Sequence, residues 1–438
     1  MLDGMDNHKS PVVALYFDAL DLGDWAWRDY MDGKIGLSGT QKRNLFIPCA
    51  LAQKGSSVLF MTNNIPSDAI PNIRQYQVKD FADALGRLRS LKHDVLIFSN
   101  REDAQTHIGL DVLSEGWSCP VIMSVGNGPS PAICRKVCKI QNLTVVCVSH
   151  VQADGLRDQS RQFFNKVQVV YAGGIASIAN DLPEYWASKD PFRVCYVGSI
   201  VPEKGFHLLA KVWPAIREQC SCARLSVIGS ARLYSRSYPL GAMGIAEEAY
   251  ETELIRYFGP DPTQCGVRFH GLVAPSDYHR IVDRCSIGVV NPQWKGAIET
   301  FCNSAVELQS RGLAVVGGNA GGLRETVWNG KSGILVSSEQ QLKNAILRLL
   351  RNPKTARKMG RNALIHASTF SSQGVVQSWE SLIGAVIRGE TLSVPPFSIR
   401  RADARVLLRE SIRLLRLVPG CDRYIPTLAQ VRLKCCKS

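Results

Sequence analysis

The chain has 438 residues, 45% of them apolar, which is enough for two domains with full cores and excludes a single small module. Its 52 Lys and Arg against 38 Asp and Glu leave a formal charge of +14, which favours anionic ligands, acidic membrane faces or nucleic acid without choosing among them. No run approaches membrane-spanning length and the start MLDGMDNHKS lacks the basic-then-apolar pattern of a signal peptide, so the protein reads as cytoplasmic.

Val12–Phe17 reads as a first buried strand, followed by a long loop rich in Asp, Trp and Gly that ends in Gly36-Leu37-Ser38-Gly39-Thr40-Gln41. A helix from Gln41 to Lys54, closed by Gly55, leads to a second strand at Val58–Met61. The two-glycine loop before that helix stands where open α/β sheets bind ligands. Helix Phe81–Leu91 and strands at Val95–Phe98, Val121–Val125, Val145–Val148 and Val167–Val170 follow. Short β-branched runs separated by helical stretches predict parallel βαβ units with helices on both faces. Asp181–Pro191, with two prolines and several charges, reads as an interdomain linker.

The alternation then restarts. Arg193–Val197 is a strand, GSIVPEKG (Gly198–Gly205) a loop, and Leu208, Leu209, Val212 and Ile216 mark one side of the next helix. After the strand Leu225–Ile228, residues Ser230–Pro262 read as a polar insertion with a helical middle. Strand Val267–His270, helix Ser276–Cys285 and strand Ile287–Val290 lead into Asn291–Glu325, where a glycine-interrupted loop precedes a helix at Ala305–Leu313. A strand at Ala314–Val316, a second glycine loop at Gly317–Gly322 and a helix start at Leu323 complete that stretch. Strand Ile334–Leu335 and helices near Ser338–Leu350, Lys354–His366 and Gln373–Ile387 finish the folded part. The predicted fold class is α/β with two Rossmann-like doubly wound domains facing a central cleft. The domains are 1–185 and 186–370, with a final helix at 371–390 crossing back and a basic tail at 391–438.

The tail holds ten Lys or Arg against three acids between residues 400 and 437, a net of +7 from 10 minus 3. Arg405, Arg409, Arg413 and Arg416 recur at helical spacing, which fits either an anionic membrane surface or a solvated stripe on a packed helix. Fourteen cysteines are scattered, many in apolar runs such as Cys147, Cys195 and Cys285, and no C-x-x-C pair occurs. Buried free thiols in a reducing compartment fit this usage better than disulfides or zinc, and Cys134 and Cys138, one helical turn apart, are not assigned a metal.

Asn291–Glu325 carries the chemistry. Two helix starts at one edge of a parallel sheet present unpaired N–H groups and the positive end of the peptide dipole, a ready site for a diphosphate. Glu299 and Glu307 would repel the phosphate, so hydroxyl groups of an attached sugar are their more suitable partners. Ser304-x-x-Glu307 also has the spacing of a capping box, and Glu299 reads equally as a solvated loop residue.

Together these residues resemble the retaining nucleotide-sugar glycosyltransferases of family four, which have the GT-B fold; the resemblance runs from about Val12 to Ile387 and is dense in the second half. GSIVPEKG resembles the family's phosphate-loop signature, which implies that Gly198 and Ser199 line the donor and that Lys204 contacts its diphosphate. The ETFCNSAVE stretch resembles the paired-glutamate motif, implying Glu307 on the ribose hydroxyls, Glu299 near the donor sugar, and Phe301, Cys302 and Asn303 at the donor. GNAGGLRETVWNGKSGILV resembles the segment that ends the donor site, with Gly321-Gly322 backing the motif and Glu325 opening the next helix. Gly39, with Thr40 beside it, takes the place of the acceptor-side glycine loop. Three positions depart: Ser199 replaces an arginine, Ala172 an asparagine, and GNGPS follows Val125 where a histidine is common, leaving Asn127 to line the sugar pocket. Arg232 or Arg236 is the candidate for the second cation.

The resemblance implies transfer of a sugar from a nucleotide-diphosphate donor to a glycan or lipid-linked acceptor with retention, Lys204 and Glu299 being catalytic. No metal and no cofactor beyond the donor is expected, since no DxD-like acidic cluster stands in a fitting loop. A dinucleotide oxidoreductase is excluded by the lack of G-x-G-x-x-G after a strand, and a P-loop enzyme by Glu325 where Gly330-Lys331-Ser332 would need a glycine. A sugar-nucleotide epimerase of the same fold is the alternative enzyme. A non-catalytic nucleic-acid or membrane binder is the alternative class, and no nucleic-acid module accompanies the charge.

Overall fold

The computed structural model describes residues 10–35, 37–158, 163, 166–172, 178–233, 239–296, 299–390 and isolated positions between 392 and 425. Its contacts divide the chain into two units. One holds residues up to Ile35, Thr40–Val170 and Val376 onward; the other holds Tyr171–Val375 with a short piece ending at Gly39.

The N-terminal unit is a parallel sheet of β1 (Val12–Phe17), β2 (Ser57–Thr62), β3 (Ile73–Gln77), β4 (Val95–Ser99), β5 (Val121–Val125), β6 (Leu143–Cys147) and β7 (Val167–Val169). Its order is β3-β2-β1-β4-β5-β6-β7. The C-terminal unit repeats the plan with β8 (Asp190–Val197), β9 (Arg224–Ile228), β10 (Val267–Gly271), β11 (Cys285–Val290), β12 (Ala314–Gly318) and β13 (Gly333–Val336), ordered β10-β9-β8-β11-β12-β13. In both, the chain starts mid-sheet, builds to one edge and returns to the other side, so strand order reverses between β1 and β4 and again between β8 and β11. This is the doubly wound Rossmann-like arrangement expected, and its switch point is where such sheets hold ligands.

Runs such as VVALYF in β1 and VIMSV in β5 are buried on both faces because helices cover both, so they carry no polar alternation. β3 escapes sequence reading for the opposite reason: at the sheet edge only Ile73 of IRQYQ is buried, and no apolar run marks it. The helix begins at Gly39 and runs to Gln53, despite Pro48 in its interior. Helices Ala104–Ser114, Pro131–Lys139 and His150–Arg157 start where Asp103, Ser130 and Ser149 accept backbone N–H groups from Thr106, Ile133 and Gln152.

Three sequence readings change. Asp181–Pro191 is not an open linker: Pro183 sets the first turn of helix Pro183–Ala187, and Asp190 already begins β8. The stretch after β9 is not a polar appendage, since Ile245, Ala246, Tyr250, Leu254 and Phe258 are buried in the C-terminal core with Phe206 and Trp213. Helix Pro275–Val282 stops before Cys285, which is buried and belongs to β11.

Trp186 shows how tightly the start of the C-terminal unit is fixed. It is 7% exposed. Its indole N–H donates to Asp181, and its ring lies over Gly312 and Gly360, where added Cβ atoms would stand 2.8 Å from it. At Gly360 a Cβ would also fall 2.2 Å from the Gly312 carbonyl oxygen, backbone that has no side chain to move aside. Gly360→Ala is therefore expected to lower stability by about 1–3 kcal/mol through overpacking, outweighing alanine's better helix propensity of about 1 kcal/mol. A urea midpoint at or above the parent's rejects this packing.

Four histidines, His150, His207, His270 and His366, are held below their ordinary value, in each case chiefly by burial. The unfolded chain then binds more protons than the folded one near and below pH 6.5, the ordinary value. Their contribution is complete above that pH and lost as pH falls through it. The urea midpoint should drop between pH 7.5 and 5.5, and His366→Gln should flatten part of the decline. A midpoint that rises over this range contradicts neutral buried imidazoles.

Candidate functional site

The C-terminal switch point lies between β8 and β11, and the two strands release the two loops that matter most. After β8, Gly198 and Ser199 lead into a short turn, Pro202–Lys204, and Gly205 adopts φ +65° before helix Phe206–Gln219. That left-handed conformation favours glycine. The buried Tyr196 hydroxyl donates to the Lys204 carbonyl at 3.2 Å and to the Ser199 carbonyl at 3.4 Å, pulling both ends of the loop onto the strand beneath. The Gly198 N–H donates to the Ile228 carbonyl, and a Cβ on Gly229 would stand 1.9 Å from the Gly198 oxygen. The loops after β8 and β9 thus touch backbone to backbone.

After β11, Asn291 takes φ +25°, a conformation in which asparagine is enriched. Its buried side chain donates from Nδ2 to Glu299 Oε1 at 3.1 Å. Lys204 Nζ meets the same oxygen at 2.5 Å, with the two side chains 22% and 15% exposed. The loops after β8 and β11 are therefore joined through one carboxylate. The third side is the β12 loop: Gly318 N–H donates to the Asn291 carbonyl and Gly322 N–H to the Glu299 carbonyl. Cβ atoms on Gly318 and Gly322 would fall 1.9 Å from the Gln293 oxygen and 2.3 Å from the Thr300 oxygen. The backing role expected of Gly321-Gly322 is thus taken by Gly322.

Helix Asn303–Ser310 starts one residue ahead of Ser304, because the Cys302 carbonyl accepts the N–H groups of Ala305 and Val306. Cys302 is the cap, Ser304 is already helical, and the capping-box reading of Ser304-x-x-Glu307 is corrected. Glu307 is left half-buried on the second turn, with its side chain not spent on that cap. Phe301 fixes the entry to the helix, packing at 5.8 Å from Tyr171 and 5.4 Å from Phe370 between ring centroids. The Tyr171 hydroxyl is hydrogen-bonded to Glu325, and His366 Nε2–H donates to the Glu325 carbonyl.

The buried Cys302 thiol reports how close the charged groups lie. Burial first, then the Glu299 carboxylate, pushes it well above the usual thiol range; Glu307 adds to the rise and the Lys204 ammonium opposes it. The structure thus gathers Lys204, Glu299, Phe301, Cys302, Asn303 and Glu307 around one helix start, with Gly198 and Ser199 at the root of the lysine loop. The Ser199 hydroxyl is buried without a hydrogen-bond partner. Of the proposed second cations, Arg232 is exposed and Arg236 lies outside the described residues.

In the N-terminal unit, Thr40 and Asn127 are neighbours through Gly126: Thr40 Oγ1 stands 2.7 Å from where a Gly126 Cβ would be, and Asn127 is exposed in the next position. Gly39 is exposed at the first residue of its helix. Sequence reasoning passed over Asn291, Tyr196 and Arg43. Asn291 had a usable signal, an asparagine at the end of an apolar strand run. Arg43 had another: with Ile47, Ala50 and Leu51 it shares a helical face that is otherwise apolar.

Residues 179–365 match the family described as glycosyl transferases group 1. D-inositol 3-phosphate glycosyltransferase of Gordonia bronchialis is 27% identical over 219 residues, covering 48% of this chain and 42% of the relative. The enzyme of the same name from Corynebacterium glutamicum is 29% identical over 202 residues, covering 45% and 44%. The matches span less than half the length of these curated relatives. Among solved structures, sucrose-phosphate synthase from Thermosynechococcus elongatus superposes with a TM-score of 0.65 at 18% identity over 87% of this chain and all of that one. Anabaena HepE in complex with UDP-glucose gives 0.58 at 16% identity over 86% of this chain and all of that one. These likenesses support the two-sheet GT-B fold. The sheet β8–β13 and the loops carrying Lys204 and Glu299 lie wholly inside the segment that matches the glycosyl transferases group 1 family.

Proposed function

We propose that this protein is a retaining, metal-independent glycosyltransferase that moves a sugar from a nucleotide-diphosphate donor to a glycan or lipid-linked acceptor. The single observation that carries the reading is the Lys204–Glu299 pair at the C-terminal switch point, beside the helix start at Asn303. Its domain family and the printed names of its relatives, both glycosyltransferases, support the same class.

Breaking a glycosyl phosphate bond leaves a nucleoside diphosphate of growing negative charge, while the sugar takes on oxocarbenium character. In this reading the Lys204 ammonium and the N–H groups at Asn303 and Ser304 bind that charge, an effect worth about 3 kcal/mol per donor in a water-poor site. Glu299 then has two tasks. Its carboxylate holds Lys204 in place before the donor arrives, and it faces the sugar hydroxyls once the lysine turns to the diphosphate. Glu307 binds the ribose hydroxyls. Attack comes from the leaving-group side, so no protein nucleophile is assigned. No cofactor beyond the donor is invoked.

A thermal-shift panel of UDP-, GDP- and ADP-sugars tests this. At least one donor should stabilise the native protein. Lys204→Ala and Glu307→Ala should each weaken it by about tenfold or more, as loss of a charged hydrogen bond worth about 1.5–3 kcal/mol requires. No response to any nucleotide, or variants that respond like the parent, removes the donor assignment.

The segment 400–437 is proposed to reach an anionic membrane surface where an acceptor would reside; it lies almost entirely outside the described residues. No described helix is long and apolar enough to cross a membrane. In flotation with phosphatidylserine-containing liposomes, the full chain should rise and a chain ending at Glu390 should not. Equal behaviour of the two ends the membrane proposal.

A further inference from the structure

The N-terminal unit has its own switch point, between β1 and β4, and a cation is buried beside it. Arg43 sits in the second turn of helix Gly39–Gln53, the helix that follows β1, and is 6% exposed. Neither its Nε nor its Nη2 has a hydrogen-bond partner. No described carboxylate pairs with it; apart from burial, only the Cys147 thiol influences its charge. Burial lowers its pKa to about 10, so it remains a cation at neutral pH.

The identity of the two unpartnered atoms matters. Nε and Nη2 form one edge of the guanidinium plane, the edge that takes both oxygens of a carboxylate or two of a phosphate. The same chain shows that edge in use: Arg311 grips Asp283 through Nε, at 2.7 Å, and through Nη2. In Arg43 the fork is unfilled.

Its surroundings are also short of partners. The Nη atoms lie 3.4 and 3.5 Å from where a Cβ on Gly126 would stand, and Thr40 Oγ1 lies 2.7 Å from the same point. A Cβ at 126 would clash with Thr40 Oγ1 and touch the Arg43 guanidinium at ordinary contact distance, which places Arg43 against the β5 loop. Ser124 Oγ, two residues earlier on β5, is buried and unpartnered. It pairs in register with Ser99, whose hydroxyl donates to Asn44 of the arginine's own helix, so this strand face is turned to that helix. Asn100, next along from β4, has an unpartnered buried Oδ1. Above them Asn127 and Gly128 are exposed, and a Cβ on Gly128 would meet nothing within 4 Å.

Burying an unpaired guanidinium costs folding free energy, and no described carboxylate offsets it at Arg43. A ligand oxyanion would. We propose that Arg43 is a specificity residue that makes the N-terminal unit select an acceptor bearing an oxyanion, a phosphate or a carboxylate, held side-on by Nε and Nη2. This rests on the glycosyltransferase reading, in which the N-terminal unit takes the acceptor. Thr40 and Ser124 supply hydroxyl donors at the same edge, and the Asn127–Gly128 turn is the way in.

Calorimetric titration of the full chain tests the assignment, with glucose 6-phosphate, glucuronate and glucose as probes and UDP as an independent one. Wild type should bind glucose 6-phosphate or glucuronate and not glucose; the arm that binds identifies phosphate or carboxylate as the partner. Arg43→Met should lose that affinity by about tenfold or more, the loss of a bidentate charged contact, while binding UDP like wild type. Lys204→Ala should show the reverse. Without ligand, Arg43→Met should melt no lower than wild type, since it removes an unpaired charge and keeps the volume. Three results overturn the proposal: oxyanion binding unchanged in Arg43→Met, neither oxyanion bound by wild type, or a fall of several degrees in Arg43→Met melting that marks a structural arginine. Failure of UDP alone to bind wild type sinks the donor reading instead.

Discussion

The C-terminal unit depends on one carboxylate doing the work of a joint. Glu299 Oε1 receives Lys204 from the loop after β8 and Asn291 from the end of β11, while the Glu299 carbonyl receives Gly322 from the loop after β12. Three loops that leave adjacent strands are tied at a single residue. A parallel sheet places its loops at one edge but does not fix them relative to each other. Here an ion pair fixes them, and the ion involved is one that a diphosphate would draw away. With side chains only partly exposed, the pair is screened less than a surface salt bridge and its partner exchange is a meaningful energetic event.

The two units answer the problem of buried charge differently. In the C-terminal unit two partly buried cations have carboxylate partners among the described residues. Asp283 holds Arg311, and Glu299 holds Lys204. In the N-terminal unit Arg43 has no such partner among the described residues. In the readings proposed above, the contrast separates a site with a built-in stand-in for its ligand from one that waits for the ligand's own charge.

Much of this was legible in the sequence, and the reasons are specific. Runs such as VVALYF announce themselves because parallel strands are buried on both faces. Lys204 was picked out by the resemblance of GSIVPEKG, and the Glu299–Glu307 stretch by the glycine loops and helix starts around it, with capping and solvated-loop readings beside it. What was missed is equally instructive. IRQYQ is a strand only because β2 lies next to it, which no local pattern records. Ser304 and Glu307 have capping spacing, yet the helix starts at Asn303, with the Cys302 carbonyl accepting the N–H groups of Ala305 and Val306. Trp186 turns a charged, proline-containing stretch into packed structure because two distant glycines make room for its ring. In sequence Arg43 is a cation on an otherwise apolar helical face, but that its fork has no described partner shows only in the fold.

The glycines of the C-terminal loops carry one further consequence. Backbone meets backbone at Gly229, Gly318 and Gly322, with no side chain between to swing or repack. In the proposed reading little chain would have to be ordered when a nucleotide binds there, so the entropy of forming the pocket would already have been spent during folding. Changes in what this edge accepts must then come from side chains that project outward from a stiff frame, since the frame itself has no slack to reshape.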